Sequence, residues 1–525
     1  MPNYYVGLDF GTHQTKVCIR DTTKNPEVFS FLEFEDGSVL LPSLIQINKD
    51  SSVSYGQIDN HNCKEAGSSF GQLNDFKELC PTIQLPPRPE DIKIQPSKFK
   101  RFITLIGLSN RKIKTKSYET ILEEWEIECA RIKKEYEIAY EYWEKRLEEF
   151  ERRIKSLEST PIRNYSFRYF KLACFNDQYS IRFKNEFAFE SEIISQWFLT
   201  YVLFKIEERI GGDYFLQMGI PSGIDKTELE KQRNKAYNLL ISAIEMMKHY
   251  KSLINFLKSD FRELLTFSTI KTYKDIFNYP FEVVPEAYCS LQSLVKNGKL
   301  QGGIYLLVDI GGGTTDVALF NVNLASKEPT IYSVRSFVLG LNDVFEKYLE
   351  LSNSTMSLSE VQPMFNTQKK CDHMLKSIDN YHMRLKEQLN VISTRLEREF
   401  QKSNKAGWSV KKLWDAINFQ VKVFSGGGSM HRYITNFNFK FFKDSLIINK
   451  DIIAHNSIFT NKREKYEDIF PILANSYGLT VFYPNRIQEE SIASLFSHFL
   501  DYEPDDKTDI FIDRPRDRFD NSDWD

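Results

Sequence analysis

The chain has 525 residues, 27% of them charged and 41% hydrophobic, with a formal net charge of −3. That length predicts several domains or subdomains around a real core, and the near-neutral balance argues against a nucleic-acid partner, whose phosphates need a basic surface. Seven cysteines without a Cys-x-x-Cys pair and eight scattered histidines exclude a disulfide scaffold and a zinc module, and they point to a reducing, cytoplasmic setting.

Strands are expected over 4–10, 15–21, 28–33 and 43–48, with the Asp36-Gly37 turn and Pro42 separating the last two. A strand so close to the start leaves no room for a signal peptide. The first strand closes on Val6-Gly7-Leu8-Asp9-Phe10-Gly11-Thr12: an apolar run, a carboxylate, a glycine-bearing turn and a hydroxyl. By itself such a turn fits an ordinary hairpin as well as a ligand site.

Five prolines within 81–96 predict an irregular connector. Beyond it, apolar or semi-apolar residues recur at 118, 122, 125, 129, 132, 136, 139, 143, 147, 150, 154 and 157, a heptad seam with one stutter near Trp143. About forty residues at ~1.5 Å rise give a rod of roughly 60 Å, ended by Thr160-Pro161. Thirteen acids against eight bases over 117–158 exclude a nucleic-acid arm. The rod reads either as a decoration packed on its own lobe or as a docking arm for a protein partner. Residues 187–210 read as a buried helix, too polar at Ser195, Gln196, Thr200 and Lys205 to span a membrane. A strand over Tyr214–Ile220 meets Pro221-Ser222-Gly223, residues 225–267 are strongly helical, and Val283-Val284-Pro285-Glu286-Ala287 leads from a strand into a short helix.

The first device then recurs. Leu307-Val308-Asp309-Ile310-Gly311-Gly312-Gly313-Thr314-Thr315-Asp316 is again an apolar strand, an Asp, a glycine turn and hydroxyls. Glycines let backbone N–H groups approach a phosphate, threonine hydroxyls donate to its oxygens, and an Asp can hold a hydrated Mg²⁺. Asp9 and Asp309 are too far apart in sequence for a local repeat, so the pair predicts a two-lobed molecule with one phosphate clamp. Further on come a strand over 330–338, helices over 341–351 and 369–401, and a strand over 420–424 meeting Ser425-Gly426-Gly427-Gly428-Ser429. The tail from 501 to 525 carries ten acids against four bases and little core material.

On these blocks, with Pro42-Ser43, Gly219-Ile220-Pro221 and Pro285-Glu286-Ala287 between them in order, the chain resembles the nucleotide-binding domain of DnaK-type heat-shock chaperones, within the actin, chaperone and sugar-kinase ATPase superfamily. The resemblance covers roughly residues 3–500. It implies an α/β, actin-like two-lobed ATPase fold of duplicated ribonuclease-H-like lobes with helical insertions. Lobe I would span 1–299, with its core in 1–37 and 187–299 and an outer subdomain at 38–186. Lobe II would span 300–500, with its core in 300–345 and 418–500 and a helical subdomain at 346–417.

The resemblance implies ATP and Mg²⁺ as ligands. Asp9 and Asp309 would hold the metal through water. Gly11, Thr12, His13, Gly311, Gly312, Gly313, Thr314 and Thr315 would grip phosphates, with Asp316 supporting the second turn. Glu286 would position the attacking water, Lys100 would be the catalytic lysine, and Lys386, Gly426, Gly427, Gly428 and Ser429 would face the adenosine. His13-Gln14 departs from the family's small or hydroxyl residues, Lys98 and Arg101 compete with Lys100, and Lys386 matches the adenine-gripping helix only loosely. No client-binding domain fits after the last family block. The expectation is therefore a slow ATP-driven switch acting on a protein partner through the rod or the acidic tail, with no membrane association. An actin-like filament former, a small-molecule kinase and a nucleotide-binding scaffold without hydrolysis are the alternatives.

Overall fold

A computed structural model describes residues 2–57, 63–66, 118–157, 164–176, 190–223, 226–268, 280–295, 303–322, 329–354, 356, 358–367, 371–403, 420–439, 442, 444–448, 466, 469–481 and 488–495. These residues form a mixed α/β structure with several sheets. The proline-rich connector, Lys100 and the acidic tail lie outside the described residues. Among the described residues no helix is long and apolar enough to cross a membrane.

The chain enters as β1 (Tyr4–Asp9), turns back as antiparallel β2 (Gln14–Asp21) and continues to β3 (Val28–Phe31). β1 and β2 are buried along most of their length, which suits strands covered on both faces. β4 (Leu41–Pro42) pairs with the start of β2. β5 (Leu44–Ile47), β6 (Val53–Tyr55), β7 (Cys63–Ala66) and β8 (Asn164–Arg168) make a separate four-stranded sheet in the order β6-β5-β8-β7.

Between β7 and β8 runs α1 (Tyr118–Leu157), the 40-residue rod expected from the heptad pattern. Its seam is sheltered in the first half, where Cys129 is buried and Leu122, Trp125, Ile132 and Tyr136 are half-buried. Off the seam, Ile127 is 70% exposed. A short helix, α2 (Phe170–Phe175), follows β8, and α3 (Ser191–Ile210) lies almost wholly in the core.

β9 (Tyr214–Ile220) then pairs parallel to β1. The helical span expected over 225–267 is broken into α4 (Lys226–Tyr250), α5 (Leu253–Lys258) and α6 (Phe261–Phe267). Side-chain caps cause both breaks: the Ser252 hydroxyl accepts from the Asn255 N–H, and the Asp260 carboxylate accepts from the Arg262 and Glu263 N–H groups. β10 (Phe281–Pro285) pairs parallel to β9 and runs straight into α7 (Glu286–Val295), giving a first sheet ordered β10-β9-β1-β2-β3.

The second sheet repeats this plan. β11 (Gly303–Ile310), β12 (Thr315–Val322) and β13 (Pro329–Phe337) form an antiparallel meander. After α8 (Leu341–Ser352), α9 (Leu358–Thr367) and α10 (Asp372–Ser403), β14 (Gln420–Ser425) returns parallel to β11. α11 (Arg432–Thr435), β15 (Asp444–Ile447), α12 (Phe470–Val481) and the edge strand β16 (Gln488–Glu489) complete an order of β15-β14-β11-β12-β13-β16. Apart from β4 and β16, each of these two sheets therefore has two parallel strands, a central strand and two antiparallel strands. The likeness extends to register. Asp9 faces Lys16 across the β1–β2 turn, and Asp309 faces Asp316 across a β11–β12 turn of the same length.

α7 and α12 lie between the two sheets. Ala287, Leu291 and Leu294 of α7 and Leu473, Ala474 and Tyr477 of α12 share one cluster with Phe29 and Phe31 of the first sheet and Leu307 and Phe320 of the second. The helices touch backbone to backbone: a Cβ on Gly478 would lie 1.8 Å from the Cys289 carbonyl oxygen, so only glycine fits there.

Candidate functional site

The ends of the two central strands open on the same space. Asp9, Gly11, Thr12, His13, Gln14 and Lys16 from the first turn and Asp309, Gly311, Gly312, Thr314 and Asp316 from the second line one cleft of about 720 Å³. The glycine turn of the second device is held from behind, because the N–H groups of Leu341 and Asn342 at the start of α8 donate to the Gly311 and Gly312 carbonyls at 3.1 and 2.8 Å.

Charged groups crowd one end of this cleft. Glu286 is the first residue of α7, where a carboxylate meets the positive end of the helix. Lys171, on α2, reaches it with Nζ 2.5 Å from Oε1, and both side chains are buried. Burial pushes the Glu286 carboxyl up to about 7, the Lys171 ammonium pulls it down, and the Asp9 and Asp316 charges push it up again. Burial alone would lower the Lys171 pKa, yet the Glu286 and Asp9 charges outweigh it and keep this group above its ordinary value.

Asp316 is raised to about 6 by burial and the Asp309 charge, while its Oδ1 accepts from the Ser222 N–H at 3.1 Å. Asp309 is likewise raised by burial, even though Asn475 Nδ2 donates to its Oδ2 at 2.7 Å and Ser290 Oγ at 3.2 Å. Lys16 Nζ sits 2.8 Å from Asp9 Oδ2. Four carboxylates and two ammonium groups thus share this end of the cleft, two positive charges short of neutrality when all are ionised.

His13 carries the first turn across to the second. Its Nε2 donates to Asn342 Oδ1 on α8 at 2.6 Å, its ring packs on Gly312, and its centroid lies 5.4 Å from that of Tyr169. Burial lowers its pKa to about 4, so the imidazole is neutral near pH 7.

The cleft is also lined by Leu341, Phe365, Gly426, Gly427, Met430, His431, Arg432, Tyr433 and Ile472. Gly426 adopts φ +77, and a Cβ there would come within 2.3 Å of Asp309 Oδ1. A side chain at this position would therefore displace the Asp309 carboxylate.

Several residues expected at the site do not line the cleft. Gly313 is buried against Leu172. The Thr315 hydroxyl donates to the Leu339 carbonyl at 2.6 Å and meets Tyr381 Oη at 2.9 Å, facing the core of its own sheet. Ser429 and Gly428 are buried, with the Ser429 hydroxyl donating to the Gly426 carbonyl at 2.7 Å. Lys386 is exposed on α10, its Nζ 5.6 Å from the centre of the Phe437 ring. The lysine beside Glu286 is Lys171, and Lys100 falls among residues not described. Sequence reasoning also missed Lys16, Ser290 and Asn475. One signal was available for Lys171: a lone cation in the apolar run Phe170-Lys171-Leu172-Ala173. No protein-family model and no curated protein matches this chain.

Proposed function

We propose that this chain is an ATP-driven conformational switch with an actin-like two-lobed fold, in which ATP and Mg²⁺ bind between duplicated ribonuclease-H-like lobes and the terminal phosphate is transferred to water. One observation carries the reading. Asp9 and Asp309, which end equivalent strands of two sheets with the same strand order, face one cleft together with Glu286 and Lys171. Phosphoryl transfer depends mainly on positioning and charge neutralisation, and this cleft offers both.

In this reading the backbone N–H groups of the two turns, the Thr12 and Thr314 hydroxyls and the Lys16 and Lys171 ammonium groups hold the phosphates. The two-charge deficit of the buried groups fits one divalent cation. Among the described residues no cluster of three His, Cys, Asp or Glu side chains could hold a metal directly, so Asp9 and Asp309 hold the ion through water. Glu286, with a pKa of about 7, takes the proton of the attacking water. Adenosine lies over the Gly426-Gly427 backbone. Turnover is slow until a protein partner binds, and the rod α1 and the acidic tail are the segments offered to it.

Binding of a fluorescent ATP analogue under Mg²⁺ titration tests the site. Asp9→Ala and Asp309→Ala are each expected to weaken Mg²⁺-dependent binding at least about tenfold, or ~1.4 kcal/mol. Unchanged binding in both variants would refute the assignment.

A further inference from the structure

A smaller chamber lies behind the cleft. It measures about 30 Å³ and shares Thr12, Lys171 and Thr314 with the larger space, so these residues form the partition between the two. At ~10–15 Å³ for a water-sized probe, it has room for two or three water molecules. Its far wall includes Asn176 and, from the first turns of α4, Glu228 and Gln232.

Gln232 is only 6% exposed, and its Oε1 is buried without a hydrogen-bond partner. Its Nε2 donates to Glu228 Oε1 at 3.5 Å. Because an ionised carboxylate only accepts, Glu228 fixes which end of the amide faces it and leaves Oε1 as the unmet acceptor. A buried acceptor left unmet costs ~1–3 kcal/mol, so the chamber favours a small hydrogen-bond donor.

We propose that this chamber holds the water that attacks the terminal phosphate, and that Gln232 is the residue that positions it. The inference rests on reading the cleft as an ATP site. Phosphoryl transfer proceeds in line, with the nucleophile on the face opposite the leaving group. With the leaving diphosphate in the larger cleft and the terminal phosphate at Thr12, Thr314 and Lys171, that opposite face opens on the chamber. The bond from the water oxygen to the γ-phosphorus forms as the bond from that phosphorus to the β–γ bridging oxygen breaks. The electron pair departs on the β-phosphate of ADP, and the water proton leaves past Lys171, on the partition, to its ion-pair partner Glu286 in the larger cleft. Gln232 Oε1 accepts the other hydrogen of the water and so aims its lone pair.

The test pairs ATP affinity, read by displacement of a fluorescent analogue, with turnover, read by phosphate release. Gln232→Met keeps the length and removes the acceptor; kcat is expected to fall about tenfold while Kd and the melting temperature stay unchanged. The double variant Gln232→Glu with Glu228→Gln restores an oxygen acceptor without setting two carboxylates against each other and is expected to recover most of the rate. Should Gln232→Met fail to fold, Glu228→Gln frees the amide to turn, and kcat is expected to fall about threefold at constant Kd. Full kcat in the altered chain overturns the inference, as does nucleotide binding without turnover in the unaltered one. An unaltered chain that binds no ATP overturns the reading of the cleft, and the role of the chamber with it.

Discussion

A carboxyl group with a pKa of about 7 exchanges its proton near neutrality, and Glu286 owes that value to burial set against the Lys171 ammonium. Only the ionised form accepts a proton, so kcat/KM for ATP, which reports the free protein, is expected to rise as pH passes through about 7. Glu286→Gln removes that inflection and lowers turnover at least about a hundredfold while ATP still binds. Lys171→Met removes the pull toward the ionised form, so the inflection moves to higher pH; a profile that stays in place would separate Lys171 from Glu286 functionally. Asp9, Asp309 and Glu286 were legible in the sequence because each sits in a local motif of strand end and turn. Lys171 was not, because its place depends on β8 pairing with β5 across more than a hundred intervening residues.

At the scale of elements, long or strongly apolar segments announced themselves: β1, β2, β11, the buried helix α3 and the rod. The short strands β6, β7 and β8 did not, since three to five residues carry too little periodicity to be read. The helical span over 225–267 was read as continuous because good helix formers run through it, and the caps at Ser252 and Asp260 prevailed locally. The α7–α12 crossing was also hidden, as it depends on a contact between two distant segments. Gly478→Ala would force a methyl group into the Cys289 carbonyl, and backbone on both sides leaves little room to yield. A loss of about 3 kcal/mol is expected, read as an earlier urea midpoint. ATP binding should weaken too, because α12 also carries Asn475, a donor to Asp309.

At the scale of the molecule, the two six-stranded sheets each carry a large hydrophobic cluster, around α3 and α10, with no residue in common. The α7–α12 cluster is the layer the two halves share. In the proposed two-lobed switch this layer would be the pivot, and the His13–Asn342 and Ser222–Asp316 hydrogen bonds would be the contacts that close the cleft over a ligand. Hydrogen exchange should therefore show MgATP protecting residues 9–16 and 309–316 together. Asp9→Ala is expected to abolish protection at both turns, although only the first is altered. Protection of the second turn alone in that variant would mean that the two halves respond separately. The repeated strand order was readable in part, from two Asp-ending strands and two glycine turns. The sheets' shared interior was not, because hydrophobic residues on α7 and α12 look the same whichever neighbour covers them.

The contact between Cys289 and Gly478 joins two short levers. Three residues before Cys289 stands Glu286, which grips Lys171, and three residues before Gly478 stands Asn475, which grips Asp309. Because backbone meets backbone at that contact, a displacement of either helix would be felt at the Glu286–Lys171 pair and the Asn475–Asp309 pair together. In the proposed ATP switch, pressure on either helix from outside would therefore reach both pairs at once.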